Sequence, residues 1–167
     1  MPKNRALAIG AYLVAGSLIL VPLLDATLAI HPMRPGDFRW RFGAAGVVSN
    51  AIVTPNAGVL LMLFAAISFG HRVVRRIIGG LATLAAVFWA GAMVLFILDA
   101  LQMKPSVPPQ MHTSFEVASV LAFVKMTIDL TVLTALGVIG LSGARGETTG
   151  GTAAMLVTDP KRVTASS

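Results

Sequence analysis

Apolar residues fall into four long stretches separated by short polar ones. Ala6–Leu24 is 19 residues without a charge, Phe42–Phe69 is 28 and Ile77–Leu98 is 22. Val117–Ala144 adds 28 more, interrupted only by Lys125 and Asp129. A membrane-crossing helix needs about 20 mostly apolar residues, so each stretch is long enough for one span. With their polar flanks the stretches predict helices over about 6–30, 38–69, 72–101 and 114–142.

The segments between them carry turn chemistry. His31-Pro32-Met33-Arg34-Pro35-Gly36-Asp37 holds two prolines that cannot sit inside a helix. Asp37 is placed to cap the second helix, with Phe38 and Trp40 in its first turn and Trp40 as a headgroup-level anchor. Gly70-His71-Arg72 reads as a tight turn, after which Arg72, Arg75 and Arg76 snorkel to the interface. Pro105–Pro109 marks the third connection, and Thr113 with Glu116 has the spacing of a capping box. Short connections make consecutive helices neighbours. The expected fold is therefore all-α, a polytopic membrane protein built as an antiparallel four-transmembrane-helix bundle over residues 1–144. From Ser142 onward Gly, Thr and Ser dominate, and residues 145–167 are expected to be a flexible cytoplasmic tail.

Composition reinforces the membrane reading. Only 12% of residues are charged and 56% are apolar, against about 25% charged in a typical soluble domain. The net charge of +6 does not point to nucleic acid, because the basic residues sit in small groups between apolar runs. There is no cysteine, which excludes disulfides, thiolate metal sites and iron–sulfur clusters. The first stretch has features of a secretory signal, with Lys3 and Arg5 before it and Asp25–Ala29 as a cleavage-like region. Signal cores run to about 7–15 residues, so this longer stretch is read as a retained helix. Lys3, Arg5, Arg72, Arg75, Arg76, Arg145, Lys161 and Arg162 fall on one side, against Arg34, Arg39, Arg41 and Lys104 on the other. That excess predicts a bacterial inner-membrane protein with both termini in the cytoplasm.

Lys125 and Asp129 are the most informative pair. Four residues apart, they share one helix face with Ala118, Ala122, Leu136 and Gly140. Each costs about 2.5–3.5 kcal/mol near mid-membrane, so both are expected to face inward. Either they neutralise each other and lock the bundle, or they line a path for a proton, an ion or a polar solute. The second helix offers Asn50, Thr54 and Asn56 at matching depth, and Pro55 frees a backbone carbonyl one turn earlier. One polar layer of Asn50, Thr54, Asn56, Lys125 and Asp129 is expected to join the second and fourth helices.

A second group falls at the outer surface: Asp25, His31, Arg39, Arg41, Asp99, His112 and Glu116. It reads as an ion-pair collar at headgroup level or as a site for substrate, and no ligand spacing is diagnostic of a metal. The three histidines lie at membrane edges, which argues against bis-histidine haem in the core. Ala82, Ala86 and Ala90 form a small-residue seam for helix contact, and Gly137 and Gly140 are expected to loosen the end of the last helix.

No catalytic set, cofactor or metal site is expected. The expected function is an accessory or scaffold subunit without catalysis. The alternatives are a small transporter or ion- or proton-translocating protein using the Lys125/Asp129 layer, and an enzyme acting on lipid headgroups at the collar. Expected partners are the lipid bilayer, with a membrane-protein partner or a second copy, and no nucleic acid.

Overall fold

The computed structural model describes the backbone of residues 2–142 and the side chains of residues 5–142. Helix α1 covers Pro2–Ala29, α2 Phe38–Ala51, α3 Val53–Ser68, α4 Arg72–Met103 and α5 His112–Ser142, with 3-10 turns at Lys104–Ser106 and Pro109–Met111. No strand occurs among the described residues. Helices α1, α4 and α5 are each long and apolar enough to cross a membrane, and α2 with α3 makes a fourth such segment if this pair, bent by 43°, is one span. The tail expected over 145–167 lies outside the described residues.

The stretch predicted as one helix over 38–69 is divided at Ile52. Pro55, in the first turn of α3, offers no N–H to the Ala51 carbonyl, and its ring crowds a straight continuation. The backbone bends rather than opens. Ile52 stays near helical angles (φ −75°, ψ −16°), its N–H donates to Val48 O, and the Asn56 N–H donates to Ile52 O at 3.0 Å. Pro22 lies inside α1 without ending it.

Asp37 caps α2 as expected, its carboxylate accepting from the Arg39 N–H at 2.9 Å. Gly70 takes φ +70°, and this left-handed residue lets the His71 N–H return to Ala66 O at 2.8 Å. The Thr113–Glu116 capping box does not form. The 3-10 turn after Pro108 runs directly into α5 at His112, so Thr113 is already helical, and the Glu116 carboxylate is taken by Lys104 at 2.9 Å.

Helix α1 packs on α3 and touches α2, and so stands at one edge of the molecule. Its contact is close: a β-carbon on Gly58 would lie 2.7 Å from Ile19 Cγ1 and 2.9 Å from Ala15 O. Helix α3 then packs on both α4 and α5, which share the most extensive interface. Gly137 and Gly140 do the opposite of loosening α5. Gly140 meets Gly79 backbone to backbone, and Gly137 meets Thr83. Ala82 and Ala86 turn inward and Ala90 is half-buried. Leu63, Ala66, Ile78, Ala82 and Leu136 form one core cluster. Ala86, Trp89, Phe96, Met126 and Leu133 form a second, against Phe42 and Val48 of α2.

Candidate functional site

The α2–α3 bend determines what the polar layer becomes. Asn50 ends one side of it and Asn56 begins the other, so both amides face α5. Lys125 Nζ donates to Asn50 Oδ1 at 2.6 Å, while the Asn50 amide nitrogen donates back to Gly46 O at 3.0 Å, which orients the side chain. One turn further along α5, Asn56 Nδ2 donates to Asp129 Oδ1 at 3.0 Å. Asp129 is only 5% exposed and Asn56 7%, while Lys125 is half-buried.

Of the two readings left open for Lys125 and Asp129, the one that pairs them needs a direct contact, and no such ion pair occurs among the described residues. Each is bound by an asparagine of the bent segment, because the two amides stand six residues apart and match the one-turn offset of the charges. Thr54 faces outward and is not in the layer. Leu136 and Gly140, on the same face of α5, are buried, Ala122 is half-buried and Ala118 is exposed. One atom is left over: Asp129 Oδ2 is buried with no hydrogen-bond partner.

The collar residues do not converge on one site. Arg41 holds the Asp99 carboxylate with two bonds, Nη2 to Oδ1 at 2.6 Å and Nε to Oδ2 at 2.9 Å, and its third donor reaches Pro35 O at 2.9 Å. Asp99 is 2% exposed, so this fork ties the first connection and α2 to the end of α4. Glu116 pairs with Lys104 in the open. The His112 Nε2–H donates to Val107 O at 2.8 Å and braces the third connection. Asp25, His31 and Arg39 are exposed. Among the described residues, no group of three or more His, Asp or Glu side chains comes together to hold a metal ion.

Other contacts have weaker sequence signals. Trp89 Nε1 donates to Met126 O at 3.1 Å in the core. Its position three residues after Ala86 and seven after Ala82 places it on the seam face, which was a readable cue. The Trp40 indole donates to Ile30 O at 2.9 Å, joining α2 to the end of α1. Tyr12 and His71 are hydrogen-bonded at 2.8 Å across 59 positions, and no local pattern announces that. Arg75, expected to snorkel, donates instead to Ile139 O at 3.0 Å near the end of α5.

Two of the cavities adjoin these residues. An apolar cleft of about 400 Å³ lies between α1 and α4, with Leu23 and Phe88 on its walls and Pro55 and Asn56 at its floor. A pocket of about 520 Å³ lies where α1 ends and α2 begins, lined by His31, Arg34, Arg39, Trp40, Gly43 and Val47 among others. Comparison of the chain with protein-family models, with curated proteins and with solved structures finds no match.

Proposed function

We propose that this chain is an accessory or scaffold subunit without catalysis, an antiparallel four-span protein of the bacterial inner membrane with both termini cytoplasmic. The observation that supports it is the use of Lys125 and Asp129. Both are engaged by asparagines of the bent α2–α3 segment, so the charges on α5 brace helices against one another. The collar works the same way, through Arg41–Asp99 and Lys104–Glu116. The partner surface is the apolar cleft between α1 and α4, where Phe88 is 77% and Leu81 60% exposed. A partner's transmembrane helix fits such a surface by packing alone. A photoreactive residue in place of Phe88, activated in native membranes, is expected to give one discrete protein adduct whose cross-linked peptide maps to a membrane span. Adducts with lipid alone would overturn the reading.

A second reading rests on one atom. Asp129 Oδ2, buried and without a donor among the described residues, is open to a proton or a cation beside the bend between α2 and α3. Proteoliposomes holding the purified chain would then pass protons or monovalent cations, and Asp129→Asn would stop the flux without unfolding the protein.

A further inference from the structure

We infer that the pocket between the end of α1 and the start of α2 is a binding site for an anionic glycerophospholipid, its phosphate held by Arg34 and Arg39 and one acyl chain lying along Gly43 and Val47. The charges of this end of the molecule are unevenly matched. Arg41 is neutralised by Asp99 and Lys104 by Glu116. Arg34 and Arg39 enter no ion pair among the described residues, and both line this pocket with His31. The Arg39 guanidinium lies 5.8 Å from the centre of the adjacent Phe38 ring, which leaves its donors open. The one carboxylate in the lining, Asp37, accepts the Arg39 backbone N–H as the cap of α2. The rim thus carries two guanidiniums against one carboxylate, with neither guanidinium in an ion pair among the described residues, and guanidinium is the group best matched to a phosphate diester.

Below the rim the chemistry changes. Residues 39, 43 and 47 recur every fourth position and lie one above another on α2. At 1.5 Å per residue the path from Arg39 to Val47 is about 12 Å long. Gly43 is exposed, and a β-carbon there would meet nothing within 4 Å, so the channel beneath Arg39 is open. Ala29, the last residue of α1, and Ile30 just after it form its other wall, and the Trp40 indole, bonded to Ile30 O, holds α2 to that end without a ligand. A free anion would use only the rim. A lipid without a phosphate would leave both arginines unmatched, and a zwitterionic one would bring its own cation up against them. The combination fits a molecule with a phosphate at one end and a hydrocarbon chain at the other. The inference rests on the membrane placement of the chain and not on its being a subunit.

The test uses the full chain, purified in detergent and transferred to nanodiscs of phosphatidylcholine alone or of an equimolar mixture with phosphatidylglycerol. Native mass spectrometry of the released protein is expected to show phosphatidylglycerol retained in preference to phosphatidylcholine, with a higher Tm in the mixed nanodiscs. Arg34→Gln with Arg39→Gln should lower phosphatidylglycerol affinity by at least about tenfold, as expected for two lost charge-assisted contacts. Gly43→Leu should weaken lipid retention by filling the channel, and Arg76→Gln, at the opposite end, should change nothing. Equal retention of the two lipids by the unaltered protein overturns the proposal without reference to any variant. So does a double variant, folded by circular dichroism, that keeps its preference. Glycerol phosphate competing as well as phosphatidylglycerol overturns the lipid assignment in favour of a soluble anion. A chain that stays in solution without detergent would refute the membrane placement itself.

Discussion

Gly140 and Gly79 touch through their backbones: a β-carbon on Gly140 would stand 2.5 Å from the Gly79 Cα, and one on Gly79 would stand 2.8 Å from the Gly140 Cα. Only hydrogen fits there, and α4 and α5 approach as closely as they do because of it. Gly140→Ala should therefore push the helices apart and cost about 1–3 kcal/mol, the usual range for overpacking. Gly80→Ala and Gly91→Ala, one helix face away with nothing within 4 Å of the added carbon, should be neutral or mildly stabilising. Thermal unfolding in detergent separates the two classes, and equal Tm values for all three would refute the close contact.

The bond between Asn56 and Asp129 sets up a second comparison. Asn56→Leu removes the only donor, among the described residues, to a carboxylate 5% exposed, so it should cost about 1–3 kcal/mol. Adding Asp129→Leu should restore part of that loss, since the stranded group goes with its partner. A double-mutant cycle on Asn56 and Asp129 should give a coupling of about 0.5–2 kcal/mol, while one on Lys125 and Asp129 should be close to additive. Strong coupling in the second cycle and none in the first would restore the direct charge pair.

At the other polar cluster the two ion pairs should behave differently. Asp99→Asn leaves Arg41 facing a neutral amide at a site 2% exposed, and a clear fall in Tm is expected. Glu116→Gln breaks a pair whose side chains are 56% and 55% exposed and should leave Tm unchanged. Repeating both measurements at high salt should abolish any residual effect of Glu116→Gln and retain that of Asp99→Asn.

Topology is checked by reporter fusions. One placed after Ser142 and one in the connection over 104–111 should report opposite sides of the membrane, with the first in the cytoplasm. The same side for both would defeat the four-span arrangement.

The helices were legible because their signal is long and redundant. Four apolar stretches, Asp37 as a cap and Gly70 as a turn placed most element ends within a few residues of where they lie. The inward orientation of Asp129, and its meeting with Asn56, followed from the cost of charge in an apolar span and from counting depth along two helices. Partner choice within the layer was not legible. Lys125 and Asp129 are adjacent on one face, and only the bend at Ile52, which presents Asn50 and Asn56 at the right offset, offers each of them something closer to hold. The glycines of α5 misled for a related reason. In isolation a helical glycine is a loss of order, and it becomes a contact only when a second helix with a glycine at the matching height lies against it.

The position of the asparagines along the chain bears on how it is made. A ribosome delivers α2 and α3 before α5, so Asn50 and Asn56 are already in place when the one span carrying Lys125 and Asp129 arrives. Helix α1, which precedes both of them, has no charge from Ala6 to Leu24. The helix that carries both charges is thus synthesised after the amides that hold them. A chain reordered so that Asn50 and Asn56 follow Lys125 and Asp129 would offer those two charges no amide when they are made.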